Sequence, residues 1–173
     1  MVKSGTTVVV TGAGGGGVGE GIVKALRLAD GYRIVSTDIN TLSPMLFHTD
    51  AGYLLPHARE QDYTERLLEV CHRENACAVI PGSEPELERI SKDRQALIDA
   101  GVCPILGPSA TIDIGQDKWL TYKFLRDHGF GTPFTAPLEG AYGSDFPMPA
   151  IIKPRIGGGG ARSVFHVHSS SEF

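Results

Sequence analysis

The sequence predicts an α/β protein: an open parallel sheet with helices on both faces, followed by a smaller α+β portion. Three observations carry this reading. From Thr6 to Leu106, β-branched runs alternate with amphipathic helical segments, the rhythm of a doubly wound sheet. Glycine is concentrated in two runs, Gly12 to Gly19 and Gly157 to Gly160, the first directly behind a strand. After Leu106 the rhythm changes to a helix, a proline-punctuated loop and two strands joined by the second glycine run.

The elements follow in order. "TTVVV", Thr6 to Val10, reads as a buried strand, and "GEGIVKALRLADG" as a helix with Ile22, Val23, Leu26 and Ala29 as its apolar stripe and Gly31 as its stop. "YRIVSTDIN" is the next strand, ending near Asp38. Residues 41–57 read as loop, with "YLLP" a short strand at best. "DYTERLLEVCHREN" is a helix capped by Asp62, with Leu67, Leu68 and Cys71 facing inward. "ACAVIPG" is a strand, and "EPELERISKDRQALIDAG" one amphipathic helix carrying Leu87, Ile90, Leu97 and Ile98. "VCPILGP" is a short strand. "SATIDIGQDKWLTYKFLRDHGF" gives a short helical turn and then a helix from about Asp117 to His128, whose Trp119, Tyr122 and Phe124 read as core. "AIIKP" and "SVFHV" form an antiparallel pair, and Ser169 to Ser171 in "HSSSEF" look like caps of a helix cut short at Phe173.

Composition narrows the function. The 173 residues fit one domain, or one plus part of another. Apolar content of 41% and charged content of 21% are ordinary for a globular chain. A net charge of −4 argues against nucleic acid as the partner. No apolar run approaches the roughly 20 residues of a membrane span and no signal-peptide core is present, which makes a cytoplasmic location the expectation. Cys71, Cys77 and Cys103 form no C-x-x-C pair and read as reduced thiols. His166 and His168 share a strand face but have no further ligands in view, so no metal site is assigned.

The first glycine run has the layout of a dinucleotide fingerprint: strand, Gly14-x-Gly16-x-x-Gly19, helix, strand, then Asp38 to hold a ribose hydroxyl. A structural reading competes, because glycines after the first strand of any doubly wound sheet permit a tight turn and close helix packing. No Tyr-x-x-x-Lys proton-transfer pair is present, and neither run is followed by the Lys-Ser/Thr of a P-loop.

The second run follows Lys153 at the end of a strand. A lysine and several unhindered N–H groups can wrap a polyphosphate. Lys118 opens the preceding helix, where its charge is unfavourable with the helix dipole and so answers to something anionic. A surface hairpin with a loose tip is the plain alternative.

"DKWLTYKFLRDHGFGTP" followed by "MPAIIKPRIGGGGARSV" resembles the opening of an ATP-grasp domain, of the carbamoyl-phosphate synthase large-subunit-like and biotin-carboxylase-like branch. That family shows D-K, a helix, G-x-x-x-P, a strand ending K-P or K-A, then a glycine-rich loop. The resemblance implies an open parallel Rossmann-like pre-ATP-grasp domain over 1–110, then the helix and Gly-loop hairpin of a truncated α+β ATP-grasp portion over 111–173. It implies that Lys118 and Lys153 contact ATP, that Gly157, Gly158, Gly159 and Gly160 fold over the triphosphate, and that Arg162, Ser163 and Val164 end that lid. Ser163 stands where the family often has glycine. The resemblance puts the acceptor substrate on the first domain, near Gly14, Gly16, Ser83 and Glu84.

The activity it implies is ATP-dependent ligation of a small carboxylate and an amine through an acyl phosphate. Mg2+ ligands are expected beyond this segment, so the fragment alone is expected to carry no catalytic residue and to turn over no ATP. A homodimer is an open assembly. The rival readings are an NAD(P)-binding Rossmann oxidoreductase or epimerase and a non-catalytic nucleotide-binding module.

Overall fold

The computed structural model describes residues 5–14, 17–141, 146–157, 163–169 and 172. The chain divides into two compact units, Met1–Gly107 and Pro108–Phe173.

The first unit runs β1 (Thr6–Thr11), α1 (Val18–Ala29), β2 (Tyr32–Asp38), α2 (Met45–His48), β3 (Ala51–Leu54), α3 (Tyr63–Glu74), β4 (Ala78–Pro81), α4 (Glu84–Lys92), α5 (Arg94–Asp99) and β5 (Cys103–Pro104). Its sheet has the order β3-β2-β1-β4-β5, with every neighbouring pair parallel. Val9 sits in register with Val35 on one side and Val79 on the other. The chain steps outward from β1 to β3, then returns to build β4 and β5 on the opposite flank. The junction of β1 and β4 is therefore the topological switch point, where open α/β sheets bind ligands beyond their carboxyl ends.

Alternation along the strands feeds two cores. Val10 and Ile34 pack with Ala13 and Val23 beneath α1. Val9, Val35 and Val79 pack with Tyr63, Leu67, Ile90 and Leu97 beneath α3, α4 and α5. Each such fully buried aliphatic side chain stabilises the fold by about 2 kcal/mol. Gly19 and Gly82 let the two sides of the switch point touch: a Cβ on Gly82 would lie 2.4 Å from the Thr11 carbonyl oxygen and 2.7 Å from the Gly19 Cα.

Several expectations are corrected. The 41–57 segment is more than a loop: it holds α2, and its short strand is β3 at Ala51–Leu54, earlier than "YLLP" and paired with β2 as an edge strand. Its four residues lack the β-branched run that would announce a strand, and Gly52 instead admits the Leu46 backbone, whose carbonyl oxygen a Cβ would meet at 2.1 Å. The single helix expected over 84–101 breaks at Asp93, whose backbone leaves helical geometry. There the Asp93 carboxylate accepts hydrogen bonds from Arg89 Nε and the Thr64 hydroxyl and caps no helix N–H. Arg89 also donates to the carbonyls of Ala58 (3.2 Å), Glu60 (2.6 Å) and Gln61 (3.1 Å). Asp62 makes no side-chain cap to α3. Ala29 and Ile98, expected inside, are exposed.

The second unit holds α6 (Ser109–Gln116), α7 (Lys118–Asp127), α8 (Leu138–Ala141) and an antiparallel pair, β6 (Ala150–Ile152) and β7 (Phe165–Val167). α6 is longer than the single turn expected. The reading of Trp119, Tyr122 and Phe124 as core is also corrected, since α7 buries none of its residues. Trp119 stacks on Tyr122 at 5.3 Å, and Phe124 lies against His128. Among the described residues no helix is long and apolar enough to cross a membrane.

Candidate functional site

In the second unit, α7 and the segment after β6 are fastened together at their starts. Asp117 precedes α7, and its Oδ1 accepts the N–H groups of Trp119 (2.9 Å) and Leu120 (3.1 Å), an N-cap that fixes where the helix begins. The next residue, Lys118, donates its backbone N–H to the Arg155 carbonyl at 3.0 Å. The Lys118 Nζ donates to the Gly157 carbonyl at 2.7 Å.

Lys118 and Lys153 line one cavity of about 340 Å³, together with Trp119, Glu139, Phe146 and Arg155. Lys153 follows the last residue of β6 and is exposed, not buried as a lysine closing an apolar run suggests. Two lysines and an arginine on a wall that also carries Trp119, Phe146 and Ile152 suit a ligand with an anionic end and a flat apolar end. Asp117 offsets part of that charge, because Arg155 Nε lies 2.9 and 2.8 Å from its two carboxylate oxygens. These hydrogen bonds come first in holding the Asp117 carboxyl down at about 2, with the Leu120 and Trp119 N–H groups adding to them.

Gly157 has a left-handed backbone, φ 70°, with open space where a Cβ would stand. Gly158, Gly159, Gly160 and Arg162 lie outside the described residues. Ser163 has φ 57°, a left-handed conformation that glycine adopts freely, and Val164 is half-buried.

The first glycine turn is built differently. Gly14 N–H donates to Asp38 Oδ2 at 2.6 Å, and Asp38 Oδ1 accepts from Asn40 N–H at 2.8 Å. The carboxylate that a ribose would need is engaged by the chain, and the N–H of the first fingerprint glycine faces a negative charge. Gly16 lies outside the described residues. Ser83 precedes α4, but its hydroxyl donates to Glu86 Oε2 at 2.7 Å and caps no helix N–H, while Glu84 is exposed on the first turn.

Glu86 is the residue that sequence reasoning missed here. It is 4% exposed, its Oε1 accepts the Tyr63 hydroxyl at 3.2 Å, and a Cβ on Gly12 would meet its Oε2 at 2.2 Å. Burial pushes its carboxyl up, and the Asp38 charge adds to that. The signal was present as Ser83-x-x-Glu86, the spacing of a capping box. In the second unit, Asp117 and Arg155 were quoted within motifs but given no task.

The parallel sheet of the first unit, in the order β3-β2-β1-β4-β5, has the fold expected of a pre-ATP-grasp domain. The model of the PylC-like N-terminal domain matches residues 9–105. The chain belongs to that family. No curated protein matches its sequence closely enough to count as a relative.

Solved structures agree on the fold. The ADP complex of purK, N5-carboxyaminoimidazole ribonucleotide synthetase, superposes with TM-score 0.71 at 17% identity, over 99% of this chain and 43% of that one. The biotin carboxylase domain dimer of Hydrogenobacter thermophilus 2-oxoglutarate carboxylase, solved with MgADP, ADP and bicarbonate, gives 0.69 at 19%, over 96% and 38%. Staphylococcus aureus N5-carboxyaminoimidazole synthetase gives 0.67 at 18%, over 99% and 43%. The chain thus spans less than half the length of these structures.

Proposed function

We propose that this chain is the N-terminal part of an ATP-dependent ligase that joins a small carboxylate, or bicarbonate, to an amine. The observation that carries the reading is that Lys118 and Lys153, 35 positions apart in sequence, line one cavity beside Gly157. The cavity fits ATP in kind: cations for phosphates, with Trp119, Phe146 and Ile152 for the base. The nucleotide complexes of the structural relatives point the same way.

In this reading a carboxylate oxygen takes the γ-phosphoryl group of ATP, ADP leaves, and an amine then displaces phosphate from the acyl phosphate. Lys118 and Lys153 stabilise charge on the phosphates and hold them in place. We assign Gly158, Gly159, Gly160, Arg162, Ser163 and Val164 to the phosphate side as well. Gly14, Gly16, Ser83 and Glu84 form the acceptor side, where the neighbouring carboxylates of Asp38 and Glu86 favour an amine over a phosphate. Among the described residues no group of three or more His, Cys, Asp or Glu could hold a metal, and magnesium is assigned to none of them. The 173-residue chain by itself is expected to bind ATP without turning it over. We assign the protein to the cytoplasm and leave a homodimer open.

The test is calorimetric titration with ATP and, separately, NADH. ATP is expected to bind and NADH not. Lys118→Met and Lys153→Met should each weaken ATP by about 10- to 100-fold, the range for losing one charged hydrogen bond. NADH binding with unchanged ATP affinity in both variants sinks the reading.

A further inference from the structure

We infer that Asp117 is a positioning residue: its carboxylate, shared between the first N–H groups of α7 and the Arg155 guanidinium, sets the spacing of Lys118 and Lys153 for a nucleotide's phosphates. The inference rests on the proposed nucleotide site.

Asp117 is 6% exposed, whereas the Arg155 side chain facing it is 55% exposed. One carboxylate thus faces two elements at once. Toward α7 it receives Trp119 and Leu120 N–H, which orients the turn that carries Lys118. Toward the strand side it receives Arg155 Nε on both oxygens and Nη2 at 2.6 Å. Arg155 is two positions beyond Lys153, so the ion pair ties the two lysines' elements together at their roots. The backbone repeats the tie, through the Lys118 N–H to Arg155 carbonyl bond and an antiparallel bridge between Asp117 and Ile156. An ion pair with one partner so open to water adds little to stability. Its directional, bidentate geometry is what remains to explain it. Arg155 also lines the cavity, and the Asp117 charge holds its guanidinium at the wall that carries the two lysines and Glu139.

Asp117→Asn tests this, because Asn keeps an oxygen for the helix cap while losing the charge. In the whole protein, ATP affinity should fall about tenfold and adenosine affinity should stay within about twofold, since only the phosphate-dependent part of binding is disturbed. Arg155→Met should give the same split, and the double variant should be no weaker than either single one. An Asp117→Asn protein that binds ATP as well as wild type, or better because the guanidinium is released toward phosphate, overturns the inference. So does an equal loss for ATP and adenosine, the mark of a disturbed fold. If Asp117→Asn fails to fold, the Arg155→Met pair of affinities decides in the same way. Wild-type protein that ignores ATP, or lysine variants that bind it unchanged, would sink the site reading itself. Neutral Asp117 and Arg155 variants beside sensitive lysine variants would sink this inference alone.

Discussion

The two glycine turns look alike in the sequence and are opposites in charge. At the first, Gly14 N–H is closed off by the Asp38 carboxylate, and the buried Glu86 presses against Gly12. At the second, Gly157 lies beside Lys118, with Lys153 and Arg155 on the same cavity wall. A glycine run therefore states only that backbone comes close to something. At the switch point that something is the protein itself, and beside β6 it is space with cations around it. The carboxyls show the same inversion: burial raises Glu86, and Arg155 lowers Asp117.

The largest effect expected from this contrast is steric. Gly19→Ala would place its Cβ 2.3 Å from the Gly12 carbonyl oxygen and 2.8 Å from the Ala13 Cα, both main-chain atoms that cannot rotate away. A loss of about 3 kcal/mol or more in denaturant unfolding is expected, the range of severe overpacking. The lysine substitutions come next, and their effect should appear in nucleotide affinity with the unfolding midpoint unmoved. Gly157→Ala meets nothing within 4 Å and has only its φ of 70° to accommodate, so about 1–2 kcal/mol should be lost. Should Gly157→Ala prove the costlier of the two glycine substitutions, the contrast fails.

The smallest effect is the pH dependence of stability, which takes opposite signs at the two turns. Glu86 binds its proton more tightly folded than unfolded. Its contribution is complete below the ordinary value of 4.5 and is lost as pH rises through its higher folded value. Asp117 behaves conversely, its contribution being lost as pH falls from 3.8 through about 2. Denaturant unfolding over a pH series should show a falling limb above pH 4.5 that flattens in Glu86→Gln, at up to about 1.4 kcal/mol per pH unit. A limb that survives the substitution assigns the slope to another group.

How much was legible follows from where the information resides. The alternation of Val8, Val9 and Val10 and the stripe of α3 are local, and β1, β2, α1 and α3 follow from them. β3 was legible only in part, as the short strand "YLLP" that overlaps it at Tyr53 and Leu54, because its four residues are an edge strand whose bounds come from pairing with β2. The helix break at Asp93 needed Thr64 and Arg89, one of them 29 positions away. At the site, charge and glycine pointed to Lys118 and Lys153. The sequence did not reveal that Asp38 faces inward onto Gly14, nor that Asp117 and Arg155 meet across 38 positions.

Arg89 leaves one more consequence. A single planar guanidinium reads the carbonyls of Ala58, Glu60 and Gln61 and so serves as the mould around which that turn sets. A lysine there, with one ammonium and no fork, could satisfy only part of the set. Limited trypsin digestion of Arg89→Lys should then cut first at Arg59, turning a quiet surface bend into the molecule's weak seam.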